Sequence, residues 1–248
     1  MQDLHTHTVF SDGKDTPEEM VRAALQQGLT CIGISDHAHA VSDSCGMPLE
    51  RREEYRREIS RLKAVFAGQI QVLCGLERDY SSDDLYTYDY VIGSVHSIRM
   101  QDGYYLCVDW EPDRLMRDIR KYFGGDGYAF AEAYYMLEAD AVRKTRCDII
   151  GHFDLLTKFN EKLCFLDEEN PRYIRAWQRA ADILLKTGKP FEVNTGAISR
   201  GCRTVPYPSG AIRDYLKSHG GKLVLASDAH RKEHIAYGFQ RWEACLQK

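Results

Sequence analysis

A chain of 248 residues, 44% hydrophobic and 28% charged, has the size of one barrel-type domain and the balance of an ordinary globular protein. Its formal net charge of -4 argues against the basic face that a stable grip on nucleic acid or anionic lipid requires, and favours small substrates. No run approaches the ~18 consecutive apolar residues of a membrane span, and the opening MQDLHTHTVF lacks the basic and apolar regions of a secretion signal. The expectation is a soluble, cytoplasmic protein. Its eight cysteines (Cys31, Cys45, Cys74, Cys107, Cys147, Cys164, Cys202, Cys245) are widely spaced with no CxxC pair, and read as reduced thiols that mostly fill the core.

The first β-type run, 1–5, ends at the HTH of His5 and His7, and the loop SDGKDT follows with Asp12. In TPEEMVRAALQQG, Thr16 can cap a helix, Pro17 suits its first position, Glu19 completes a capping box and Gly28 ends it. A buried strand over 31–36 leads to Asp36 and His37; a helix over 50–66 precedes Gly68; strands over 70–77 and 90–96 end on Glu77 and His96. The stretch 104–127 is the one long irregular connection and is expected to form a lid or rim, with a helix over 111–122 inside it. A helix over 128–144, a strand over 148–152 ending on His152, a helix over 171–186, a strand over 190–194 ending on Asn194, a helix over 209–218 and a strand over 222–227 complete the order. Seven apolar strands alternating with helices predict an α/β fold with a parallel sheet, preferably a (β/α)7 barrel. With no repeat, low-complexity tract or Pro/Ser-rich linker, residues 1–248 read as a single domain.

Possible metal ligands fall where the strands end: His5, His7, Asp36, His37, Glu77, His96, His152, Asp228 and His230. In a β/α barrel those C-terminal ends converge on one mouth, so groups remote in sequence meet there. Residues two apart in a strand share a face, which lets HTH and DAH each present two ligands. A lone histidine at a strand end is usually a hydrogen-bonded rim residue, but six of nine histidines at such ends predict a metal cluster. Imidazoles mixed with carboxylates suit zinc, manganese or iron(II) better than calcium. Neighbouring cations repel, so one ligand should bridge, and Glu77 is the natural candidate. His219 and His234 read as helix-end and surface residues.

The segments DLHTHTVFSDG, SDHAHA, GLERDY, IGSVHS, GHFDLL and ASDAH together resemble the polymerase and histidinol phosphatase family, PHP, along nearly the whole chain. That resemblance implies a distorted, TIM-like seven-stranded barrel with a trinuclear metal centre at its C-terminal mouth. Carried onto this sequence, it implies one site of His5, His7, Glu77 and Asp228, a second of Glu77, His96 and His152, and a third of Asp12, His37 and His230. The family often has histidine where Asp12 stands. FEVNTGAISRG and YPSGAI are similar to stand-alone histidinol-phosphate phosphatases, while Lys158 lies where some relatives offer arginine.

The expected reaction is hydrolysis of a small phosphate monoester, with L-histidinol phosphate foremost, in which three divalent ions acidify water and neutralise charge on phosphate. Glu77, Asp228 and His230 are the expected catalytic residues. Arg200, Lys158, His39 and Asn194 are the expected substrate contacts, and Asp154 either orients His152 or meets the substrate amine. The rival reading is a PHP-type nuclease or nucleotide phosphoesterase. A regulatory module without catalysis is a third, opposed by the complete ligand set.

Overall fold

The computed structural model describes residues 1–42, 44–84 and 86–246. Seven parallel strands run in the order β1 (Gln2–Asp3), β2 (Cys31–Ile34), β3 (Gln71–Asp79), β4 (Tyr90–Ser94), β7 (Ile149–Ile150), β8 (Phe191–Asn194) and β9 (Leu223–Ala226). The sheet curls until its two ends nearly meet. A parallel bridge between Thr6 and Ala229 spans the seam, and the buried Asp3 carboxylate accepts from the backbone N–H groups of Ser227 and Ala236 on the far side. The barrel expected from the alternation of strand and helix is therefore present, as a nearly closed seven-stranded form.

Its interior is filled below the mouth. Tyr90, Ile92 and Ile149 pack with Leu4, Leu73 and Val224, residues from strands all around the sheet that touch only because it curls on itself. Tyr90 is the plug, donating its hydroxyl to Leu4 O at 2.5 Å. A Cβ at Gly33 or Gly75 would fall within 2.3 Å of the Tyr90 ring end, so glycine at both positions makes its room.

Helices cover the outside. In α1 (Pro17–Gln26) the capping box forms as the sequence predicts: the Thr16 side chain accepts from Glu19 N, and the Glu19 carboxylate accepts from Thr16 N at 2.9 Å. α2 (Arg52–Val65) buries Tyr55, Ile59 and Leu62, a stripe at three- and four-residue spacing, and Tyr55 donates to the carbonyls of Ile34 at 2.7 Å and Gly75 at 2.8 Å. α4 (Gly127–Thr145) and α6 (Pro171–Leu185) pack on each other, with the Tyr135 and Tyr173 hydroxyls 3.0 Å apart. α8 (Gly210–Ser218) completes the predicted set, and His219 caps its end with Nδ1 2.8 Å from Tyr215 O.

The stretch 104–127 departs from expectation. Its first part is strand, since β5 (Ser97–Arg99) pairs antiparallel with β6 (Tyr105–Cys107), and α3 (Pro112–Phe123) follows. Short helices α5 (Asn160–Leu163), α7 (Gly196–Ser199) and α9 (Phe239–Trp242) were not anticipated either. Among the described residues, no helix is long and apolar enough to cross a membrane.

Candidate metal centre

The chain beyond β1 carries His5 and His7 to the barrel mouth with Thr6 facing the other way, its hydroxyl donating to Gly33 O at 2.9 Å. Alternation thus turns both imidazoles to one side, where each is fully buried. The returning loop is held by Asp36, whose carboxylate accepts from the backbone and hydroxyl of both Thr8 and Ser11. Asp36 is therefore an anchor for the loop that carries Asp12, and its oxygens are engaged there rather than in the cluster.

Glu77, at the end of β3 and 1% exposed, lies at the centre. Its Oε2 is 3.2 Å from His5 Nε2, 3.5 Å from His7 Nε2 and 2.9 Å from His37 Nδ1; its Oε1 is 3.0 Å from His152 Nε2 and 3.4 Å from His96 Nε2. The Ser94 hydroxyl donates to Oε1 at 2.6 Å and fixes the carboxylate plane. Asp228, held at φ 50, sets Oδ1 3.2 Å from His7 Nε2 and 3.8 Å from His5 Nε2. Asp12 Oδ2 lies 3.2 Å from His230 Nε2, and its Oδ1 lies 3.7 Å from His37 Nε2.

The nine residues of the three sites that the resemblance implies therefore converge, while Asp36, also a possible strand-end ligand, stands outside the cluster. Three groups have ligand atoms within 4.8 Å of one another: His7, Asp12, His37 and His230; His5, His7 and Asp228; and His37, Glu77 and His96. They overlap the three sites implied by the resemblance without coinciding with them, since His7 and His37 each serve two groups.

The donors fit divalent ions. Ligands of one tetrahedral cation at ~2.1 Å stand about 3.4 Å apart, the separation found across this cluster. His5 Nε2, His7 Nε2, Glu77 Oε2 and Asp12 Oδ1 are buried with no hydrogen-bond partner among the described residues. Such atoms cost roughly 1–3 kcal/mol each unless something satisfies them. Charge points the same way. Burial opposes ionisation of Glu77, yet His37, His5 and His96 around it hold the carboxyl well below the usual carboxylate range. Against the same burial, Arg200 and His5 hold Asp228 low. Burial, with the charges of His230 and His37, pushes the His7 imidazole down to about 3, so it is neutral. Burial also disfavours a charged His37, but the Glu77 carboxylate prevails and raises it to about 9. Fixed negative charge at the mouth thus draws cations, and a divalent ion competes with protons for the same lone pairs.

Above the cluster opens a cavity of about 650 Å³, a size suited to a small molecule, with Arg200, Lys158, Arg114 and Trp110 in its walls. Arg200 is not free: Nη2 donates to Asp228 Oδ2 at 2.9 Å and Nη1 to Asp228 O at 2.9 Å. Lys158 donates to Asp109 O at 2.7 Å and Oδ2 at 3.1 Å. The other two expected substrate contacts are elsewhere. His39 is exposed and does not line the cavity. Asn194 is buried, donating to Glu192 Oε2 at 3.0 Å and accepting from Gly196 N at 2.9 Å, as a turn residue does. Asp154 is also buried, accepts from Ser209 N at 2.8 Å and faces Arg203 at 3.7 Å.

Two carboxylates behind the cluster escaped the sequence reading. Asp79 Oδ2 accepts from His96 N at 2.9 Å and lies 3.1 Å from His96 Nδ1; Glu192 Oε1 lies 2.7 Å from His5 Nδ1. For Glu192 the signal was a charge inside an otherwise apolar strand, between the buried Phe191 and Val193; Asp79 ends β3 beside Glu77 and Arg78 and carries no such mark.

The PHP domain model matches residues 3–196, which include seven of the nine clustered residues; Asp228 and His230 lie beyond it. A "probable histidinol-phosphatase" from Deinococcus radiodurans is 30% identical over 96% of this chain and 89% of its own length. The fold is similar to that of a "putative histidinol phosphatase" from Listeria monocytogenes, with TM-score 0.83, 19% identity, and coverage of 98% of this chain and 100% of that one. It is also similar to the histidinol phosphate phosphatase of Lactococcus lactis, determined in complex with zinc, L-histidinol and phosphate, with TM-score 0.71, 21% identity, and coverage of 98% and 93%. With the family model spanning most of its length and a parallel barrel gathering the histidines and acids at one mouth, this chain belongs to the PHP family.

Proposed function

We propose that this chain is a metal-dependent phosphatase that hydrolyses L-histidinol phosphate to L-histidinol and phosphate, as a step of histidine biosynthesis in the cytoplasm. The observation that carries the reading is Glu77, whose two buried oxygens each face a different set of imidazoles beneath a cavity of small-molecule size. The 30% identity to the Deinococcus protein over nearly the full length supports the substrate. Unbridged thiols at Cys31, Cys74 and Cys147 in the core support a reducing compartment. Residues 1–248 act as one barrel domain in this reading.

His5, His7, Glu77 and Asp228 would hold one ion, Glu77, His96 and His152 a second, and Asp12, His37 and His230 a third, with zinc, manganese or iron(II) as the occupants the donors suit. When bound, such ions acidify water and neutralise the charge that develops on the phosphate. Glu77 links the two halves of the pocket through its two oxygens. Asp228 is kept ionised by Arg200 on Oδ2, which leaves Oδ1 facing His5 and His7 as a charged donor for the first ion. Arg200 and Lys158 supply fixed positive charge for phosphate oxygens in the cavity wall.

The test is a comparison of kcat/KM for histidinol phosphate, 5′-nucleotides and short oligonucleotides, using protein loaded with manganese or zinc. Strong preference for histidinol phosphate is expected. A higher kcat/KM for nucleotides or oligonucleotides would replace this reading with the nucleotide phosphoesterase or nuclease.

A further inference from the structure

Glu192 is a carboxylate that the proposed chemistry does not use. It sits in β8, 2% exposed, in a strand whose other residues are Phe191, Val193 and Asn194. Burying an ionised carboxylate is costly unless every oxygen is engaged. Here both are. Oε1 lies 2.7 Å from His5 Nδ1, while Oε2 accepts from the His152 backbone N–H at 3.1 Å and from Asn194 Nδ2 at 3.0 Å. Asn194 is itself locked, because its Oδ1 accepts from Gly196 N at 2.9 Å. The carboxylate is thus oriented by two N–H donors on Oε2, which turns Oε1 toward the imidazole.

The other His5 nitrogen has no hydrogen-bond partner among the described residues and lies 3.2 Å from Glu77 Oε2 and 3.8 Å from Asp228 Oδ1. When a divalent ion takes the place of the second imidazole proton, a carboxylate at Nδ1 keeps the remaining proton there and leaves the Nε2 lone pair for the cluster. From these contacts we infer that Glu192 is the positioning residue of the metal centre: it sets the tautomer and ring orientation of His5 and, through the same carboxylate, fixes the backbone from which His152 projects. One side chain on β8 thereby ties together ligands from β1 and β7, which face Glu77 on different oxygens. The role found for Asn194 follows from it, since its amide holds Glu192 rather than substrate.

The inference rests on the reading of His5 as a metal ligand, and the experiment separates the two. Zinc affinity is measured by competition with a chromophoric chelator for the parent protein and for Glu192→Gln, His5→Ala and the double variant, with circular dichroism of each metal-free form. Glutamine keeps the shape but must turn its NH2 either toward His5 Nδ1 or toward the donors of His152 and Asn194. The expected result is a ~10–100-fold weaker zinc site in Glu192→Gln, the usual scale for such partners, and a clearly smaller loss when it is added to His5→Ala, where only the hold on the His152 backbone remains to be lost. Unchanged affinity in Glu192→Gln, while His5→Ala loses a site, overturns the inference and leaves His5 a ligand. A Glu192→Gln loss that persists in full without His5 overturns it as well. Full zinc binding by His5→Ala overturns the ligand reading itself, and this inference with it. Should Glu192→Gln not fold, Glu192→Asp, which keeps the charge but withdraws it from Nδ1, takes its place with the same criteria.

Discussion

At Glu77, one carboxylate carries contacts that in most pockets are divided among several side chains: three imidazoles on Oε2, two more and the Ser94 hydroxyl on Oε1. Replacing it with glutamine removes the shared charge while keeping the shape. Glu77→Gln is expected to lose more metal affinity than the ~10–100-fold typical of a residue that only supports a ligand, and to lose phosphatase activity with it. Metal analysis after gel filtration checks the first and turnover the second; full metal content with intact turnover would remove Glu77 from the centre. At this scale the sequence was legible where chemistry needs rare residues at strand ends, which is why His5, His7, His37, His96, His152 and His230 could be grouped before any coordinates. It missed Glu192 and Asp79, because a carboxylate that orients an imidazole is marked at most by a charge within a buried strand, as Glu192 is. Asn194 shows the converse, a strand-end polar residue whose hydrogen bonds turn inward to the backbone.

The elements were legible wherever the pattern was long or punctuated. α1 announced itself by Thr16, Pro17, Glu19 and Gly28, and seven apolar runs became seven parallel strands. The β5–β6 hairpin was missed although Asp102-Gly103 stands in its connection: its strands are three residues each, too short for alternation to register, and the five residues between them are longer than the two-residue turn such a pair usually marks. Tyr55 shows how helices register on the barrel, since its hydroxyl reaches carbonyls of both β2 and β3 and so joins α2 to two adjacent strands. Tyr55→Phe leaves those carbonyls short of a donor in a fully buried site. A loss of about 1–3 kcal/mol in unfolding free energy is expected, with turnover at 25 °C unchanged, read from the urea midpoint at constant m-value.

Across the whole molecule, stability and pH are coupled through a group outside the set of candidate metal ligands. Glu138 of α4 is fully buried, accepts one hydrogen bond from Tyr134 at 2.7 Å, and has no partner for its second oxygen among the described residues. Burial raises its carboxyl well above the ordinary value, with the Tyr134 hydrogen bond opposing weakly. The folded protein then keeps a proton that the unfolded chain releases above pH ~4.3, so this group's contribution is full at lower pH and declines as pH rises, by up to ~1.4 kcal/mol per unit. Glu138→Gln cannot ionise, and its stability relative to the parent is expected to increase from pH 4 to pH 8. A constant difference across that range would mean that Glu138 is ionised in the fold. Closure of the sheet, finally, was implied by the number of strands but not its seam, which rests on Asp3 and on one rung between Thr6 and Ala229. That seam gives the metal centre a timetable. His7 and Asp228 are about 220 residues apart, so at ~5–20 residues per second of synthesis the histidines of the first segment wait ~10–45 s for their acidic counterpart. Until the last strand leaves the ribosome and docks beside the first, the nascent chain has imidazoles but no completed cage, and loading of the cluster belongs to the end of biogenesis.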